Sequence, residues 1–147
     1  MKRIVFLWLM IGSFNVFGQD RDSSYYCNCK TNPDTLDGQP VYLTVNKMPS
    51  FPGGNEKLMS FITKNLIYPN EYRDNYLQTA IYITFIIDTT GVIRNVCVNQ
   101  PRHKSYFTPF EREGLKMIDK MPKWIPGELE GKKVYVRVYL PIRVDLK

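Results

Sequence analysis

The sequence predicts an α+β domain: two amphipathic helices packed on one face of a small antiparallel β-sheet. Three observations carry that expectation. Residues 79–99 read as two apolar-alternating strands around a turn, residues 55–66 and 108–121 each carry an apolar stripe at helical spacing, and residues 132–144 alternate Val, Leu and Ile with Tyr and Arg. A lone hairpin is marginal in water, so the helices are what cover its apolar face.

The hairpin is the organising stretch. Ile81, Ile83, Phe85 and Ile87 share one face, because strand side chains repeat every two residues. Phe85 lies mid-strand and is expected at the centre of the core. Asp88-Thr89-Thr90-Gly91 is the turn, with Asp first and Gly supplying a positive φ. In the return run Ile93 and Val96 have opposite parity yet both are apolar, which predicts a β-bulge near Arg94-Asn95.

Around it, residues 20–40 are polar and turn-rich, and residues 41–45 (VYLTV) form a short strand expected to dock on a sheet edge. Met48 to Gly54, with two prolines and two glycines, stops that strand and sets up a helix start. Leu58, Phe61, Ile62 and Leu66 then fall on one helical face. Pro69 opens a short helical turn over 69–75. Thr108-Pro109-Phe110-Glu111 is a capping box, in which Thr caps, Pro takes the first helical position and Glu reaches back. Phe110, Gly114, Met117, Ile118 and Met121 make that helix's stripe, and Pro122 ends it. In the last strand Pro141 lacks a ladder donor, which predicts an edge strand.

The N-terminus reads as a secretory signal over residues 1–18: MKR, a compact apolar run, then Gly18. The apolar stretch is broken by Gly12, Ser13 and Asn15 and falls short of the roughly 20 residues that span a bilayer, which argues against an anchor. Removing Lys2 and Arg3 leaves 18 basic residues against 14 acidic ones, a charge of +4 and no nucleic-acid footprint. Residues 19–40 then form a polar arm and 41–147 the folded domain. An exported compartment permits disulfides. Cys27 or Cys29 pairing with Cys97 would staple the arm to the hairpin. In the other reading, Cys97 packs as a small residue and the arm cysteines stay apart.

No catalytic set assembles. His103 is the one histidine and lies between Arg102 and Lys104 in a loop; Gly53-Gly54 lacks the remainder of a phosphate loop; a CxC with one histidine is no zinc site. Tyr135 and Tyr139 suit cross-strand packing better than base stacking. An enzyme, a cofactor, a small-molecule substrate and a nucleic-acid partner are therefore not expected.

FPGG at 51–54, a helix, YP at 68–69, a hairpin with a glycine turn, FERE at 110–113, MPKWIPG at 121–127 and a valine-rich last strand follow in one order. In that order and spacing, residues 41–146 resemble the C-terminal domain of TonB, in the form common among Bacteroidetes. The resemblance implies two helices on a three-stranded antiparallel sheet. It also implies a periplasmic role in energy-coupled transport, in which the domain grips an extended segment of an outer-membrane receptor, the TonB box. Tyr68 and Pro69 lie in the region implicated in that contact, and the last strand is the one implied to receive the segment by β-augmentation.

The residues beside that strand extend the expectation. Arg137 and Arg143 favour a segment carrying acidic residues, and Tyr135 and Tyr139 pack on its alternate side chains. The open edge is expected over residues 133–140, with the strand around Tyr42 as its competitor or cover. Two features are expected to differ from the full pattern of that family: a cleaved signal in place of an anchor, and residues 19–49, which reach about 100 Å at most, in place of a long proline-rich linker. A second reading therefore stays open, in which the domain is a stand-alone periplasmic module gripping another envelope protein or peptidoglycan. A homodimer also stays open.

Overall fold

The computed structural model describes residues 34–70, 79–99 and 107–144. The expected signal segment, Cys27 and Cys29, most of the helical turn over 69–75 and the loop holding His103 lie outside the described residues. No described helix is long and apolar enough to cross a membrane.

The described chain runs β1 (Thr35–Leu36), β2 (Gln39–Tyr42), α1 (Gly54–Asn65), β3 (Thr79–Ile87), β4 (Ile93–Val98), α2 (Pro109–Asp119), β5 (Gly127–Leu129) and β6 (Lys132–Val144). The sheet order is β1-β2-β6-β3-β4, with β5 also paired to β6. All pairings are antiparallel except β2 with β6, which is parallel. The α+β architecture is as expected, but the sheet is larger than three strands and mixed.

The β3–β4 hairpin carries the expected irregularity. Thr84 pairs with Cys97 but Ile86 pairs with Arg94, so β4 holds one extra residue opposite Phe85. Asn95 takes up the bulge with φ 48. The bulge returns Val96 and Val98 to the face that Ile93 shares, and both valines are buried.

That face is the core. Ile81, Ile83, Phe85 and Ile87 from β3 meet Leu140 and Ile142 from β6, Phe110, Leu115, Met117 and Ile118 from α2, and Ile62 from α1. Both helices thus cover the same side of the sheet. The capping box forms as read: Glu111 N–H donates to Thr108 Oγ1 at 3.2 Å, and Thr108 N–H donates to Glu111 Oε2 at 2.6 Å. Gly114 earns its place in the α2 stripe by proximity, since a Cβ there would stand 2.4 Å from Ile81 Cδ1. The α1 helix rests more lightly, with Ile62 its one buried residue.

An aromatic cluster closes the end of the core. Ser50 and Ile125 exchange backbone hydrogen bonds, as do Lys47 and Glu128, so the FPGG loop lies against the Trp124 loop. Phe51 and Phe85 each meet Trp124 edge-on, at 5.7 and 5.4 Å between ring centroids. Such pairs add about 0.5–1.5 kcal/mol beyond area burial.

The hairpin turn is fixed by Asp88. Its Oδ1 accepts from Thr90 N–H at 2.8 Å, Thr90 Oγ1 at 2.7 Å and Val92 N–H at 3.0 Å. Burial pushes its carboxyl upward, but these hydrogen bonds and the Arg94 charge outweigh that and hold it below the usual carboxylate range. A lowered folded value means the contribution is complete above the unfolded value of about 3.9 and is lost as pH falls through the folded one. Asp88→Asn is expected to cost about 1–3 kcal/mol at pH 7. It should also flatten the acid limb of a plot of urea midpoint against pH. An acid limb of unchanged slope below about pH 4 would remove Asp88 from that account.

Pro141 led to an edge strand, and the topology corrects this: β6 lies between β2 and β3. The missing N–H requires no partner at residue 141 only, and β2 stops short of it, pairing with Tyr135 and Val136. The short strand expected at 41–45 begins earlier, at Gln39, and is preceded by β1 from the stretch read as a polar arm.

Candidate functional site

Alternation along β6 sorts its side chains by face. Val136, Leu140 and Ile142 are buried toward the helices. Tyr135, Arg137, Tyr139, Pro141 and Arg143 therefore share the opposite face. The β3 register sets Ile86 beside Arg137, Thr84 beside Tyr139 and Tyr82 beside Pro141. Tyr82 and Tyr139 are 44% and 55% exposed, whereas Arg137 is buried. Arg94 also flanks Ile86 on this face, and its guanidinium meets Asp37 of the β1–β2 turn at 2.9 Å. The second face thus carries exposed Tyr82 and Tyr139 beside buried Thr84, Ile86 and Arg137, with Arg94 set between Asp37 and, at 3.8 Å, Asp88.

The main chain of β6 has a direction that the hydrogen bonds reveal. Asn99 N–H donates to Tyr82 O at 2.8 Å, so Tyr82 turns its polar groups toward β4 and away from β6. Tyr82 and Pro141 are then a non-hydrogen-bonded pair, and the pattern alternates from there. The odd residues of β6 aim their N–H and C=O groups outward, away from β3. Pro141 is tolerated because its missing donor falls on that outer side.

The outer side is where β2 docks. Val41 N–H donates to Asp34 O, just before β1, at 2.8 Å, so by alternation Tyr42 turns its main-chain groups toward β6. β5 takes the opposite side. Glu130 and Gly131 both have positive φ, as a two-residue type I′ turn requires, which makes Leu129 and Lys132 the closing hydrogen-bonded pair. Lys132 is an even residue, so β5 continues the β3 side. Beyond Val136, no strand pairs with the outer side of β6 among the described residues.

The six residues singled out from the sequence do not converge. Tyr135, Arg137, Tyr139 and Arg143 lie on the β6 stripe. Tyr68 and Pro69 follow α1, where the Tyr68 ring meets Phe110 at 5.3 Å, on the helix side of the sheet. Sequence reading missed Tyr82, although its alternation with Ile81 and Ile83 marks it as facing away from the core. The strand around Tyr42, expected as a competitor or cover of β6, does pair with it, in parallel and at Tyr135 and Val136. Among the described residues no cluster of His, Cys, Asp and Glu is arranged to hold a metal ion.

Residues 64–146, more than half the chain, match the family model described as Gram-negative bacterial TonB protein C-terminal. A comparison with curated proteins finds no match.

Proposed function

The chain belongs to the family of Gram-negative bacterial TonB protein C-terminal domains, and from that premise we propose that it binds an extended segment of an outer-membrane TonB-dependent receptor along the outer side of β6. The family is one of protein-interaction domains of TonB-dependent transport, associated with the envelope. The observation that supports this reading is the outward row of main-chain groups at Tyr139, Pro141 and Arg143, beyond the last β2 pairing. Main-chain hydrogen bonds give an added strand its affinity with little demand on sequence, and side-chain neighbours give preference. Exposed Arg143 favours an acidic residue in the segment, and Tyr139 and Tyr82 offer ring faces to alternate side chains. Tyr68 and Pro69 would act as a separate contact at the helix side.

Tyr139→Pro tests it. The substitution removes an outward N–H and leaves the β3 ladder, which the even residues carry. Affinity for a synthetic peptide from a receptor N-terminus is expected to fall about ten-fold, the worth of a lost main-chain hydrogen bond with its unpaired acceptor. The measurement is an amide NMR titration, with shifts concentrated at residues 135–143. Undiminished binding by that variant, or saturable binding that moves only other regions, would sink the edge reading.

A further inference from the structure

We propose that the β1–β2 hairpin is an intramolecular plug on the outer side of β6, displaced when an extended partner segment docks. This rests on the reading of that edge given above.

Pro141 makes the competition necessary. Beyond the β2 pairing, the outward N–H donors available to a partner strand are those of Tyr139 and Arg143, with the proline gap between them. A segment confined to that half meets an interrupted ladder. The uninterrupted run of outward donors is Tyr135, Arg137 and Tyr139, and β2 covers its first part by pairing with Tyr135 and Val136. A partner that uses the good stretch therefore has to take the place of β2.

The hold of β2 is slight. It registers with two residues of β6, in the parallel sense that is less stable per residue. Gln39 and Pro40 are exposed, and Val41 and Tyr42 are half-buried. The hairpin turn is fastened by the Asp37–Arg94 ion pair, whose side chains are 49% and 41% exposed, where such pairs contribute little.

The plug can also leave without opening the core. No residue of β1 or β2 belongs to the core cluster, which α1, α2, β3, β4 and β6 build together with Phe51 and Trp124. Downstream, Lys47 is pinned by two backbone hydrogen bonds to Glu128, at 3.1 and 2.9 Å, and by a 2.7 Å ion pair. Residue 47 is thus an anchor point, and the hairpin before it stays tethered beside the edge after release. Tethering keeps its effective concentration high, so it behaves as a standing competitor that a partner must outbid. Asp37 on Arg94 supplies the acidic group that an acidic partner segment would bring.

The test is hydrogen exchange by NMR on the full chain, titrated with the synthetic receptor peptide. At saturation, the Tyr42 amide should lose protection while Lys47 and Glu128 keep theirs. Asp37→Arg should tighten the peptide about two- to five-fold by removing the surface ion pair. Tyr42→Pro, which deletes the β2 donor, should tighten it about ten-fold. Peptide saturation with Tyr42 still protected would overturn the plug, as would unchanged affinity in a Tyr42→Pro chain whose hairpin exchange shows it released. Absence of peptide binding in the wild type and in both released variants would instead overturn the edge reading beneath it. Binding seen only in the released variants would support the plug most directly.

Discussion

Phe85→Ala is expected to cost about 3–5 kcal/mol, the range for a fully buried aromatic cut back to a methyl group. Phe85 is 0% exposed, and its ring is the floor on which Trp124 stands edge-on at 5.4 Å. The loss would combine the transfer energy of the ring, the cavity left beneath both helices and the aromatic contact. A domain of this size holds about 5–15 kcal/mol in total, so the variant would lose a large share of it. Urea unfolding followed by the fluorescence of Trp124 reads the effect, with a midpoint displaced strongly downward and an unchanged slope. An unmoved midpoint would mean that the face carrying Phe85 is not the one the helices cover.

The parts of this fold that were legible in the sequence are those set by local rules. Parity within residues 93–98 sufficed to demand a bulge, because a strict strand cannot put Ile93 and Val96 on one face, and Asn95 takes a left-handed φ of 48 to supply it. The spacing Thr108-x-x-Glu111 sufficed for the cap, since both bonds of the box are local. The short strands were not legible. Asp37-Gly38 and Glu130-Gly131 both carry the residues of a type I′ turn, yet β1, β2 and β5 beside them have two to four residues and no alternation to read. What makes them strands is pairing with β6, which is a tertiary event.

The site divides along the same line. Alternation alone assigns Tyr135, Arg137, Tyr139 and Arg143 to one face, and that much needs no structure. Which side of β6 carries a neighbour is set by sheet order, and no property of residues 132–144 encodes it. Pro141 gave the right local statement, a place where an outward donor is missing, and the wrong global one. A proline constrains its own residue, whereas an edge is a property of the whole strand. The same limit explains Tyr68 and Pro69, whose chain position after α1 says nothing about lying on the opposite side of the sheet from the β6 stripe.

Gly91→Ala is expected to cost about 3 kcal/mol or more, through two effects that the structure separates. Gly91 has φ 84, a conformation that costs an L residue with a Cβ roughly 1–2 kcal/mol. The second effect is contact: a Cβ at Gly91 would stand 2.0 Å from Trp124 O and 3.1 Å from Trp124 C, both backbone atoms that no rotamer change can move aside. The two segments must part, and parting them breaks the 2.8 Å hydrogen bond from Trp124 N–H to Gly91 O, worth about 1–3 kcal/mol when its buried partners are left unpaired. Trp124 would lose its seat on Phe51 and Phe85 at the same time. Gly131 is the control, with φ 77 and open space where its Cβ would go. Gly131→Ala carries the dihedral cost alone, so it should lose roughly 1–2 kcal/mol. The difference between the two urea midpoints therefore isolates the close approach of the hairpin turn to the Trp124 loop. Equal losses would show that the approach contributes nothing, and that the turn glycine matters for its φ alone.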